Sequence, residues 1–167
     1  MKISDYFLNK ELLDNQIEFY KQKKQLRKIE KNNELVQAYL AKAKHNMEFF
    51  TLNEDKTKFN DWLIVTLYYA LYHSALALVT KKSYTSKNHT ATLLFLIKYY
   101  SIRQEEAELI NELSISKEDA ELYTDLKTDR HNASYETRIL FTKEKIQEYR
   151  TAVINFIQKT EEIIIQD

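Results

Sequence analysis

The chain of 167 residues contains no glycine, no proline and no cysteine. Globular proteins ordinarily use roughly 7% glycine and roughly 5% proline, so each absence excludes something. Without glycine there is no phosphate-cradling loop of the P-loop or dinucleotide-binding kind, because such loops need backbone that approaches a phosphate closely. The glycine-flanked serine elbow of hydrolases is missing as well. Without cysteine there is no disulfide, no thiolate zinc site and no thiol nucleophile. Tight hairpins lean on glycine too. The composition therefore favours helices joined by short connections, with asparagine expected at left-handed positions. Asn32, Asn33, Asn53 and Asn111 are the candidates for those positions.

Net charge is also lacking: 25 basic side chains balance 25 acidic ones. That argues against bulk attraction to nucleic acid. The charges are nevertheless segregated. Lys21, Lys23, Lys24, Arg27, Lys28 and Lys31 crowd one stretch, with only Glu30 against them. Glu105, Glu106, Glu108, Glu112, Glu118, Asp119, Glu121 and Asp125 crowd another. Two solvated helix faces would explain this pattern. So would contact between the two stretches, within one chain or across a dimer.

What is present reads as helix almost throughout. The start, MKISDYFLNKELLDNQ, has charges interrupting its apolar residues and does not read as a signal peptide; the expected location is the cytoplasm. Residues 3–14 read as a short amphipathic helix and 15–31 as a charged helical stretch, together an N-terminal extension of 1–31. From 32 to 167 a single bundle domain is expected. Leu35, Tyr39, Ala43, Met47 and Phe50 recur at helical spacing in a helix from Glu34 to about Leu52. A second helix from Phe59 to Lys81 is apolar on most faces and should lie deepest. Its uncharged run Trp62 to Thr80 is long enough to span a bilayer. Tyr68, Tyr69, Tyr72, His73 and Ser74 within it fit a buried central helix better, so no membrane association is expected. KSYTSK, 82–87, reads as a basic loop, followed by a helix from Asn88 to about Tyr100. Ser101 with Gln104, and Ser116 with Asp119, resemble capping boxes that would start two further helices. Thr142 caps the last helix, with a stripe of Ile146, Tyr149, Val153, Phe156 and Ile157. The fold class is all-α, an antiparallel bundle of four to five main helices.

The four histidines, His45, His73, His89 and His131, form no zinc-protease spacing. No metal and no cofactor is implied. His73 has Tyr69 one turn earlier on the same face, a pattern that suits a core-organising pair. His89 opens a helix beside Lys81, Lys82 and Lys87, where a helix N-terminus and cations together favour a phosphate. Ordinary capping and loop polarity explain the same residues. Asp129 to Tyr135 is a polar helix end, with Arg130 and Ser134 on one face and His131 and Tyr135 on another.

Taken in order, these segments resemble the HEPN family of helical domains. The resemblance rests on Tyr68, Tyr69, Ala70, His73, Ala77 and Leu78, then Lys87 and His89, then Arg130, Ala133 and Tyr135. It covers roughly Leu35 to Ile164. It implies a HEPN-like bundle of four or five helices, a homodimer, and an association with a nucleotide, with RNA or with a small nucleotidyltransferase antitoxin. Some members are metal-independent RNases, the toxins of toxin-antitoxin pairs, with an Arg, a polar residue and a His after a gap of four to six.

The chemistry accounts for those residue types. A neutral His takes the 2′-hydroxyl proton, and an Arg stabilises charge on the scissile phosphate. Arg130 and His131 match the first half of the signature, and Tyr135 stands where the His belongs. A phenol titrating at about 10 is a poor base at neutral pH, and His131 points roughly 100° from Arg130 on a regular helix.

The expected function is accordingly nucleotide or RNA binding, or docking to the nucleotidyltransferase, with ligand contacts from Arg130, His131, Tyr135, Lys87 and His89. The alternatives are an RNase in which Arg130 and His131 are catalytic, and a purely structural dimeric module.

Overall fold

The computed structural model describes the backbone of residues 2–56, 59–128 and 142–166, and the side chains of these except 116 and 118–128. The fold is all-α. In chain order the elements are α1 (Asp5–Leu8), α2 (Lys10–Gln22), β1 (Leu26–Lys28), α3 (Asn33–Asn53), α4 (Asn60–Lys81), β2 (Tyr84–Ser86), α5 (His89–Tyr100), α6 (Gln104–Thr128) and α7 (Lys143–Ile165).

α4 is the axis of the bundle. α3 runs back along it, and α5, α6 and α7 pack around its other sides. Its sequence explains this, because apolar residues occupy nearly every face. Ile64, Leu67, Ala70, Ala77 and Val79 are all fully buried. Each buried Leu, Ile or Val contributes roughly 1.5–3 kcal/mol by leaving water. Among the described residues α4 is the one helix long and apolar enough to cross a membrane, and 78% of its most apolar window is inside the protein.

Residues 2–31 fold onto this bundle. Tyr6, Leu13, Ile17 and Leu26 belong to the same apolar core as Leu67 and Phe95. Leu13 and Ile17 are one turn apart, which aims both at α5.

The asparagines serve a different purpose from the one expected. Asn9, Asn32 and Asn88 cap α2, α3 and α5, their side-chain oxygens accepting from Leu12, Leu35 and Ala91 at 2.8–2.9 Å. Such a cap contributes about 1 kcal/mol. Asn33 and Asn53 are the end residues of α3, and Asn111 lies inside α6. Among the described residues the left-handed positions are held by Lys24, Ser83 and Ser101, with φ of 56°, 61° and 47°. Lys24 closes α2 in a Schellman motif: Lys21 and Tyr20 carbonyls accept from Lys24 and Gln25 at 2.9 and 3.0 Å.

Two expected helix starts are corrected. Ser101 is the left-handed C-cap of α5. Burial of Ile102, 2% exposed, sets the chain so that α6 begins at Gln104. There the Glu106 carboxylate accepts from the Arg103 backbone at 2.8 Å, the reciprocal half of a capping box. No helix starts at Ser116, since α6 runs unbroken from Gln104 to Thr128. Extending a helix needs far less than nucleating one.

A short antiparallel ribbon, β1 with β2, replaces the end of the charged stretch 15–31 and the basic loop 82–87. Leu26, Arg27 and Lys28 face Ser86, Thr85 and Tyr84. Both strands leave a helix through a left-handed residue, Lys24 after α2 and Ser83 after α4.

Among the described side chains, Glu106 and Glu112 of the acidic stretch pair with α7. Both Glu106 carboxylate oxygens accept from Lys159 at 2.9 Å. Glu112 is 2.7 Å from the Lys145 ammonium and accepts from the Tyr149 hydroxyl at 3.0 Å.

Candidate functional site

The helical repeat of α4 places Tyr68, Tyr69, Tyr72 and His73 on adjoining flanks of one helix. Tyr68 is 7% exposed and Tyr69 is 36% exposed. Across these flanks lie α3, which brings Tyr39 and Asn46, the start of α5, which brings His89, and α6, which brings Lys117.

The buried flank joins α4 to α5. Tyr68 and Tyr72 stack with centroids 5.6 Å apart and planes 10° off parallel. The His89 ring packs against both, at 5.8 and 6.3 Å. Its Nδ1 is 3.5 Å from the Tyr68 hydroxyl, a long and weak contact. Its Nε2 has no hydrogen-bond partner among the described residues. Burial, with repulsion from Lys117 behind it, pushes His89 down to about 4. The imidazole is therefore neutral at pH 7 and supplies no positive charge to a phosphate. Burial also holds the Tyr72 hydroxyl above its usual range. The void between these rings and Ile110 measures about 10 Å³, room for one water at most. Any larger ligand meets this array from outside.

The outer flank joins α4 to α3. His73 Nδ1 lies 2.7 Å from the Tyr69 main-chain carbonyl. A carbonyl only accepts, so Nδ1 carries the proton and Nε2 is the acceptor of the neutral ring. The Asn46 side-chain amide also lies 3.3 Å from this Nδ1, whose single proton goes to the Tyr69 carbonyl. Tyr39 stacks on the imidazole at 6.2 Å. Burial first, then the nearby Lys42, holds His73 below the ordinary histidine value, against the pull of its bond to the Tyr69 carbonyl. The Lys117 ammonium lies 5.3 Å from the Tyr68 ring centroid and 5.7 Å from that of Tyr69, within cation–π range. Tyr69 and His73 thus sit at the bundle surface and its edge, outside the apolar core where the sequence suggested them.

Lys87 and His89 are neighbours in sequence but diverge in space. Lys87 is exposed and donates its backbone N–H to Gln25 across the ribbon at 2.8 Å, while the His89 ring turns inward. At the α5 N-terminus the Asn88 N–H is 3.4 Å from Ser86 Oγ, and Ala91 donates to the Asn88 side chain, so part of its donor set is already engaged. Arg130, His131 and Tyr135 lie outside the described residues. Among the described residues no three His, Asp or Glu side chains gather as a metal ion would need.

Tyr39, Asn46 and Lys117 were not singled out from the sequence. Each comes from a different helix than His73 or His89, so no spacing within one segment could have revealed them. No protein-family model matches this chain, and no curated protein matches it.

Proposed function

We propose that this chain is a HEPN-type domain that works as a dimer and binds a nucleotide or RNA on the outer edge of the α4 ring array. One observation carries the reading. A surface tyrosine, an imidazole fixed as a neutral acceptor and a lysine ammonium lie together at Tyr69, His73 and Lys117. A nucleotide uses all three: the base stacks on an aromatic face, its polar edge donates to a ring nitrogen, and its phosphate pairs with a cation. The first two of the three motifs of the HEPN resemblance also contact each other, where the His89 ring packs against Tyr68. A nucleotidyltransferase partner is the other class of ligand that the resemblance suggests.

The test is equilibrium binding of labelled AMP and of single-stranded and structured RNA, with a chelator present. Wild type is compared with Tyr69→Ala, Lys117→Ala and Arg130→Ala. Loss of a stacking tyrosine should weaken binding about five-fold or more. Wild-type protein that binds neither AMP nor RNA sinks the reading. RNA cleavage by wild type that disappears in Arg130→Ala would instead identify a metal-independent RNase, with Arg130 stabilising the phosphate and His131 as base.

A further inference from the structure

The β1–β2 ribbon unites two basic segments that are far apart in sequence. Ile29 donates to the Ser83 carbonyl at 2.9 Å and Lys87 to that of Gln25 at 2.8 Å, which extends the pairing beyond the strands at both ends. Lys24, Arg27, Lys28 and Lys31 come from one segment, and Lys82 and Lys87 from the other. All six are exposed, and Glu30 is the one acidic residue within those two segments. A chain of zero net charge thereby gathers six exposed cations on and around one ribbon.

We propose that this ribbon is a second binding surface, which holds the phosphate backbone of single-stranded RNA independently of the α4 ring array. The pairing from Gln25 to Ile29 spans about 13 Å at strand rise, long enough to follow about four stacked nucleotides at about 3.4 Å each. A row of cations along such a length tracks a chain of phosphates better than it holds one small anion. At the Lys31 end the face opens into a polar cleft of about 200 Å³, lined by Lys31, Asn33 and Gln37 among others. Aromatic rings lie among the cations. Lys21 is 5.9 Å from the Tyr84 ring centroid and Lys82 is 5.6 Å from that of Tyr100. Both rings are half-buried.

That arrangement disfavours a lipid surface as the partner. A membrane-seated element projects apolar side chains into the acyl boundary. The exposed residues of β1 are Arg27 and Lys28, and its apolar Leu26 is 1% exposed.

The experiment is fluorescence anisotropy of a labelled uridine 20-mer with the full-length protein, over a range of salt. Four phosphate contacts predict a slope of log affinity against log salt of about −3. Charge reversal at Lys24, Arg27, Lys28 and Lys87 should weaken binding by about 30-fold or more and flatten that slope. The double variant Arg27→Gln, Lys28→Gln is the milder form, with folding of both checked by circular dichroism. Arg27→Gln, Lys28→Gln should keep the wild-type affinity for labelled AMP, which reads the α4 array alone, so failure of the α4 reading is separable from failure of this one. Unaltered affinity in the folded charge variants overturns the proposal. So does binding to phosphatidylserine vesicles without binding to the oligonucleotide.

Discussion

His73 donates its Nδ1 proton to the main-chain carbonyl of Tyr69, one turn earlier on α4, over 2.7 Å. The bond fixes the tautomer of a ring that burial keeps neutral, and His89, deeper on the next flank, is more strongly held in the same state.

Both histidines bind protons less readily folded than unfolded. Their contribution to stability is therefore complete above about pH 6.5 and is lost as the pH falls toward the folded value, about 4 for His89. For His89 alone the loss is about 2 kcal/mol by pH 5. Carboxylates act in a lower window. Lys145 holds Glu112 below the usual carboxylate range, so its contribution fades only as the pH falls below about 4.5. Urea unfolding at pH 7.5, 6.0 and 5.0 should show stability falling with pH in wild type and falling less steeply in His89→Gln. A variant that keeps the full wild-type slope between 6.5 and 5 would contradict the assignment.

Among the described residues, three hold left-handed backbone in a chain that has no glycine to offer. A side chain in that region costs about 1 kcal/mol through the clash of Cβ with the carbonyl oxygen. Ser101→Gly relieves that clash at the α5 terminus, and Ser83→Gly does so at the end of α4. Each should raise the melting temperature by about 2–4 °C. Ser101→Val, with branching at Cβ, should lower it. A melting temperature that falls in both glycine variants would show that the serine side chains stabilise these turns more than the clash costs.

Local pattern made the helices legible, and long-range pairing made the rest illegible. Leu63, Ile64, Leu67 and Leu71 identify α4 as the buried axis from apolarity alone, and Thr142 caps α7 by accepting from Lys145 as its position suggests. The ribbon carried no such mark. Leu26–Lys28 and Tyr84–Ser86 are three residues each, too short for an alternating pattern to register. The helix endings at Lys24 and Ser83 bring them together. Ser101 and Ser116 misled for a related reason: a capping motif is local, whereas the start of α6 follows burial of Ile102. At the site, His89 was readable as a ligand candidate, and Tyr69 and His73 only as a core-organising pair. Asn46 and Lys117 were not readable, because their partners lie on other helices.

Leu67 and Tyr69, two positions apart on α4, separate packing from binding on one helix. Leu67 is fully buried, whereas Tyr69 is 36% exposed and packs by its ring edge against Tyr68. Leu67→Ala should cost about 2–5 kcal/mol, the usual range for a cavity in a core that cannot collapse onto it. Tyr69→Ala should cost less than about 1.5 kcal/mol, since one aromatic contact and part of its apolar area are lost while the core stays filled. Denaturant unfolding of the two variants measures both. If Tyr69→Ala matches Leu67→Ala in stability loss, Tyr69 organises the core, and its loss of nucleotide binding would then follow from unfolding. If Tyr69→Ala keeps nearly full stability and still binds nucleotide less tightly, the effect lies in the exposed ring itself.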